Sequence, residues 1–204
     1  MNQSLKNLFV AAGMLAVFAV PTFAAKAKIG EKAPDFTLTD VYGETHALSD
    51  FAGKTVVLEW VNPECPFVVK HYGSGNMPQL QSAAASEDTV WLSINSGSPG
   101  AQGDFEPAEV KSWLKKTGAA PAAYLRDQDG IVGRLYGART TPHMFVINPE
   151  GDLVYNGAID SIPSANRRDL DRAQNYVKAA LVAVAAGDHP VKSTSRPYGC
   201  NVKY

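Results

Sequence analysis

The chain is poor in cysteine: Cys65 and Cys200 are the only two in 204 residues, too few for a disulfide-built scaffold. It has no excess of basic charge, with 19 Lys and Arg against 20 Asp and Glu, and so lacks the concentrated positive surface that polyanions require. Nucleic acid is therefore set aside as a partner. No stretch after the N-terminal segment approaches eighteen continuous apolar residues, so a membrane-spanning protein is not expected. What is present is ordinary globular composition, 45% hydrophobic and 19% charged, which excludes a disordered chain, a collagen-like repeat and a pure coiled coil.

The first 24 residues stand apart. Lys6 precedes a mainly apolar run from Leu8 to Val20, and Pro21-Thr22-Phe23-Ala24 follows, with small residues three and one before a cut. This is the pattern of a secretory signal peptide, too short to span a bilayer as a helix; an uncleaved anchor is the competing reading. The mature chain is then expected to begin at Ala25. Residues 25–187 are expected to form one domain, and 188–204 a C-terminal tail carrying Cys200. No internal repeat is visible.

Within the domain, Ala33 to Phe51 gives two short extended runs around Tyr42-Gly43, an N-terminal hairpin. Thr55 to Val61 (TVVLEWV) is apolar on both faces apart from Glu59, as expected of a central parallel strand. A helix follows only after Pro63, with Cys65-Pro66 at its start and Pro78 either kinking it or opening a second helix. Thr89 to Asn95 and Ala122 to Asp127 read as strands. Val110, Trp113 and Leu114 mark one helix, and Ile131 with Leu135 a shorter one. His143 to Ile159 reads as a hairpin turning at Asn148-Pro149-Glu150-Gly151. A last helix is expected from the stripe Leu170, Ala173, Val177, Ala180, Leu181 and Val184, ended by Gly187 and Pro190. Together these predict an α/β fold whose mixed sheet ends in an antiparallel hairpin.

A cysteine directly after a buried parallel strand lies at the carboxyl end of the sheet, where open α/β folds place their ligands. At a helix start its sulfur faces unpaired amide groups and the positive end of the helix dipole, which favour thiolate. A dipole effect of about 1 to 2 kcal/mol brings a thiol from about 8.5 to near 7. Glu64 has the wrong sign to help, and Lys70 and His71 fall largely off the Cys65 face. The bland reading is a buried, inert cysteine.

These residues carry a resemblance. VVLEWVNPECPFVVKHY, TTPHMFVINPEGDLVYNG and the ending YGCNVKY resemble the secreted, peroxiredoxin-like (AhpC/TSA-type) redoxins of the thioredoxin superfamily, from about Gly30 to the C-terminus. The resemblance implies a thioredoxin-like fold, a nucleophilic Cys65, a buried acid at Glu59 that relays protons, and a cis-proline turn at Thr141-Pro142 that shapes the substrate edge. It implies no bound cofactor, because sulfur carries the redox change. Two departures matter. Val68 stands where a Cys-x-x-Cys motif has its second cysteine, and Leu58 and Asn62 stand where a peroxiredoxin has proline and a threonine or serine. Cys65 thus has no adjacent resolving thiol, and the hydroxyl that orients peroxide is absent.

The expected activity is thiol-disulfide exchange in an extracytoplasmic compartment, most simply the periplasm, with protein or small-molecule thiols and disulfides as partners. The alternatives are a slow thiol peroxidase acting on peroxide and a non-catalytic redox-sensing or binding module. Cys200 is the one remaining thiol able to resolve Cys65, with Arg196 to Gly199 placed to dock and turn the tail. An intramolecular bridge, an intermolecular one and a free tail thiol all remain open. Glu59 is alternatively a glutamate that escapes at a strand end or one paired with a lysine. Trp60 and Phe67 read as packing groups and His143 as a strand residue; His46 and His189 lack partners at ligand spacing. A Cys65–His71 metal pair is not expected, since Val69 stands where the copper chaperones of the superfamily have a second cysteine.

Overall fold

The computed structural model describes residues 26–204, so the expected signal peptide lies outside the described residues. Its centre is a seven-stranded sheet built from β1 (Thr37–Asp40), β2 (Thr45–Ala47), β3 (Val56–Trp60), β4 (Val90–Asn95), β5 (Ala123–Arg126), β7 (His143–Ile147) and β8 (Leu153–Gly157). In space the order is β2-β1-β5-β4-β3-β7-β8. The pairs β3–β4 and β4–β5 are parallel, and β3–β7, β7–β8, β1–β5 and β1–β2 are antiparallel. The expected mixed sheet with an N-terminal hairpin is present.

Strand β3 organises both cores. Successive side chains in a strand point to opposite faces, so Val56, Leu58 and Trp60 enter one core while Val57 and Val61 enter the other. Glu59 shares the second face. That face is covered by α1 (Pro66–Gly73), α2 (Asn76–Ser86), α3 (Pro107–Thr117) and α5 (Tyr176–Ala185), which contribute Val68, Tyr72, Met77, Val110, Val177 and Leu181. The first face is closed by α4 (Ile131–Tyr136) and by residues around the hairpin, including Phe36 and Leu48.

Pro78 lies in the first turn of α2, so it begins a second helix rather than kinking α1. The last helix starts later than the apolar stripe suggests. Arg167–Arg172 is a 3-10 segment, Ala173 is extended, and α5 begins after Asn175, whose side chain accepts from Lys178 N at 2.9 Å. Tyr176 N donates to Ile159 O at 3.0 Å, which ties the helix start to the end of β8. A side-chain cap and a sheet contact thus override the periodicity of Leu170 and Ala173.

One other expectation is corrected. His46 has a partner, Asp40 Oδ2 at 3.2 Å, because hairpin pairing brings residues six apart together. The segment 188–204 packs back on the domain. It runs beside β8, with Asn156 N donating to Ser193 O at 3.0 Å and Ser195 N to Asn156 O at 3.2 Å. It then crosses to form β9 (Cys200–Asn201), antiparallel to β6 (Thr140–Thr141). It ends with the Tyr204 hydroxyl donating to Ala138 O.

Candidate functional site

Cys65 stands between β3 and α1 as the residue that caps the helix, with extended backbone (φ −70°, ψ 124°) and Pro66 in the first turn. Its amide donates to Asn62 O at 3.0 Å, closing a tight loop. That loop is clamped to the long loop after β4: Asn62 Nδ2 donates to Gln102 O at 3.0 Å, and Gly103 N donates to Glu64 Oε2 at 2.7 Å. The sulfur is therefore held rigidly, and it is 0% exposed.

The Cys65 thiol donates to the carbonyl oxygen of Thr141 at 3.0 Å. The Thr141–Pro142 peptide bond is cis. Cys200 pairs directly opposite Thr141 across β6 and β9, which makes the two thiols neighbours; both are free, Cys65 buried and Cys200 half-buried. Their acidities are pushed apart. Burial raises Cys65, but the Cys200 thiol, Thr141 and the amides of Val68 and Cys200 outweigh it, leaving its pKa below the ordinary value. Cys200 is pushed up to about 11 by burial and by its neighbour Cys65. A thiolate cannot donate to the Thr141 carbonyl. The Thr141 hydroxyl, buried and without a partner in the thiol form, is the group placed to turn to the charged sulfur.

Glu59 is 0% exposed, and among the described residues no lysine pairs with it. Its Oε2 accepts from Trp91 Nε1 at 2.8 Å and Ser93 Oγ at 3.1 Å, and the Tyr72 hydroxyl donates to the carboxylate at 2.9 Å. Burial nevertheless dominates over these donors and raises its pKa to about 7. Tyr72 belongs to α1, the helix that Cys65 caps, but among the described residues no hydrogen bond joins Glu59 to Cys65 itself.

Sequence reasoning missed a second polar cluster. Lys70, His71 and Asp160 are almost completely buried beside the tail. The Tyr198 hydroxyl donates to Asp160 Oδ1 at 2.6 Å, His71 Nε2 lies 3.3 Å from the same hydroxyl, and Lys70 Nζ donates to Ser164 O at 2.9 Å. Burial, with the Lys70 charge, pushes His71 down to about 4. The Tyr198 ring packs edge-on against Phe67, at 5.7 Å between centroids. The available signal was the pair of polar residues Lys70-His71 inside a helix otherwise expected to pack. His143 lies in β7 and is pushed down to about 4 by burial. Trp60 is fully buried as a packing group.

Asp40, Glu44 and His46 bring ligand-type atoms within 4.8 Å of one another in the β1–β2 turn. Asp40 is already engaged by the amides of Tyr42 and Glu44, as in an ordinary Asx turn.

A buried thiol at the start of the helix after a central parallel strand, beside a cis-proline edge, defines a thiol protein on a thioredoxin-like sheet. The chain belongs to the AhpC/TSA family, whose profile matches residues 29–156. Among curated proteins it is 27% identical over 132 residues to thiol-disulfide oxidoreductase ResA of Geobacillus kaustophilus (strain HTA426). That match covers 61% of this chain and 66% of the relative, just under two thirds of its length. Among solved structures, a hypothetical protein of Sinorhizobium meliloti 1021 matches with TM-score 0.73 and 26% identity, over 89% of this chain and 97% of that one. The thioredoxin domain of a thiol-disulfide oxidoreductase of Bacteroides vulgatus shares the fold, with TM-score 0.52 and 16% identity over 72% of this chain and 98% of that one. Among the described residues, no helix is long and apolar enough to cross a membrane.

Proposed function

We propose that the protein is an extracytoplasmic thiol-disulfide oxidoreductase in which Cys65 is the nucleophile and Cys200 resolves it within the same chain. The observation that carries this reading is the register of β9 on β6, which sets Cys200 opposite Thr141 and against Cys65. Membership of the AhpC/TSA family and the similarity to ResA support it. The signal-like segment 1–24 supports export and a mature chain starting at Ala25.

In the reducing direction, the Cys65 thiolate attacks one sulfur of a substrate disulfide and expels the other as a thiolate, which takes a proton. The Cys200 thiol gives up its proton and attacks the Cys65 sulfur, releasing the second substrate thiolate. The substrate gains two electrons, and the protein is left with a Cys65–Cys200 disulfide. Glu59, poised near neutrality, accepts or returns a proton within the buried core. Thr141 and Pro142 shape the edge at which the substrate lies. An external dithiol restores the protein by attacking Cys200, the more exposed sulfur, while Cys65 departs as the better-stabilised thiolate.

A peroxidase reading gains nothing from Asn62, whose side chain is taken up by Gln102 O and the Glu64 amide. The test is non-reducing peptide mapping of the oxidised monomer together with a Cys200→Ser variant. A recovered crosslink between the Cys65 and Cys200 peptides, and a variant that stalls as a Cys65 adduct, are expected. Two free thiols in an oxidised, folded sample would replace this reading with a sensor or binding role.

A further inference from the structure

The groove that holds residues 198–201 has the properties of a bound-ligand site filled by the chain itself. Cys65 is wholly buried, and the strand lying against it beside β6 is β9. If substrate sulfur is to reach Cys65, as the proposed function requires, it has to occupy the place of the Cys200 sulfur. The residues flanking that sulfur then fall where Tyr198, Gly199 and Asn201 now lie.

Each of these places makes a distinct demand. The residue two before the cysteine, Tyr198, enters the pocket formed by Phe67, Lys70, His71 and Asp160. There a ring meets Phe67, and a hydroxyl donates to Asp160 Oδ1 at 2.6 Å. Asp160 Oδ2 is buried, lies 3.6 Å from Lys70 Nζ, and accepts no hydrogen bond among the described residues. Removing the hydroxyl strips a further partner from a buried carboxylate, and buried polar groups left unpaired are how a site rejects an analogue lacking its hydroxyl. The residue one before the cysteine passes against the Thr141 carbonyl. Gly199 has φ +137°, and a Cβ there would collide with that oxygen.

We propose that this groove is the recognition site for the exchange partner, and that the Phe67–Lys70–His71–Asp160 pocket is its specificity subsite. The ligand class is an extended, cysteine-bearing polypeptide segment with tyrosine two residues and glycine one residue before the cysteine. The tail is an internal copy of that ligand: it is displaced strand for strand as the mixed disulfide forms, and it returns toward Cys65 for Cys200 to expel the substrate thiolate. Pairing with Thr140 and Thr141 supplies sequence-independent backbone bonds, and the tyrosine hydroxyl supplies selection.

The proposal rests on the reading of Cys65 as nucleophile, and the test separates the two. The full chain carrying Cys200→Ser is mixed with a blocked heptapeptide of the sequence of residues 196–202, Arg-Pro-Tyr-Gly-Cys-Asn-Val, whose cysteine carries a thionitrobenzoate leaving group. A second peptide has phenylalanine in place of tyrosine. The tyrosine peptide is expected to form the mixed disulfide with Cys65 at least tenfold faster, and the same ratio should hold in a Tyr198→Ala background, where the competing tail is weakened. In an Asp160→Asn variant the ratio should fall toward one. Equal rates for the two peptides in both the Cys200→Ser and Tyr198→Ala proteins would overturn the subsite. Serine forms of both peptides, which cannot react, read binding alone. Tyrosine-selective binding of these with an unreactive Cys65 would uphold the groove while overturning the nucleophile, and absence of both would overturn the two together.

Discussion

At the scale of single residues, the buried hydroxyl of Thr141 separates two states of one sulfur. It has no partner among the described residues, and we expect it to donate to the sulfur once Cys65 ionises. Thr141→Val keeps the shape of the side chain and removes the donor, so the Cys65 pKa should rise. The alkylation rate of Cys65 plotted against pH, in a Cys200→Ser background, should shift to higher pH; an unmoved profile would remove Thr141 from the account. Glu59 gives a second prediction, in stability rather than reactivity. Its folded pKa of about 7 lies above the ordinary 4.5, so the folded state holds a proton that the unfolded chain releases across that window. Stability therefore falls as pH rises from 4.5 to 7, by an amount on the order of 3 kcal/mol for this group, at about 1.4 kcal/mol per unit. His71 and His143, pushed down to about 4, act in the opposite direction, each subtracting stability as pH falls from 6.5 toward 4. Urea unfolding of wild type and Glu59→Gln at several pH values isolates the carboxylate: the difference should move in favour of the variant as pH rises from 4.5 to 7. A pH-independent difference would show that Glu59 is not held protonated.

At the scale of elements, β9 is two residues long and stands on a single close approach. Gly199→Ala places a methyl group against the Thr141 carbonyl, so the strand should lift away and Cys65 should become exposed. Faster alkylation of Cys65 and loss of the Cys65–Cys200 crosslink are the expected results, read by mass spectrometry of the folded protein. The reasons β9 was invisible in sequence are physical. TVVLEWV announces β3 because every second side chain serves one of two cores, and His143 to Gly157 announces a hairpin because proline and glycine sit at its turn. A two-residue strand has no period to read. Its partner, Thr140–Thr141, is equally short, and the Tyr198 pocket joins three separate stretches of chain, with Tyr198 lying 127 positions from His71 and 38 from Asp160. The start of α5 was misplaced for a different reason: Asn175 supplies a cap that the apolar stripe cannot reveal. Position at the end of β3 was enough to single out Cys65, whereas the burial of Lys70 and His71 depended on contacts that only the fold creates.

At the scale of the whole molecule, a Cys65–Cys200 disulfide would close a loop of roughly 130 residues, for which the chain-entropy argument allows a stabilisation of up to about 5 kcal/mol. The oxidised protein should unfold at higher urea concentration than the reduced protein, and Cys200→Ser should abolish that difference; equal midpoints would argue against the bridge. Secreted protein should begin at or near Ala25 on N-terminal sequencing, and recovery of Met1 would defeat the export reading. The cover over Cys65 and the frame beneath it come from separate stretches of the chain. Both cores and the Cys65 loop draw on residues that precede Gly187, apart from the few tail side chains packed against them, whereas β9 is formed by Cys200 and Asn201. A chain cut between Gly187 and Tyr198 would therefore keep both cores nearly complete and leave the Cys65 thiol bare, so the segment that carries β9 is a cover the fold can lose without losing its frame.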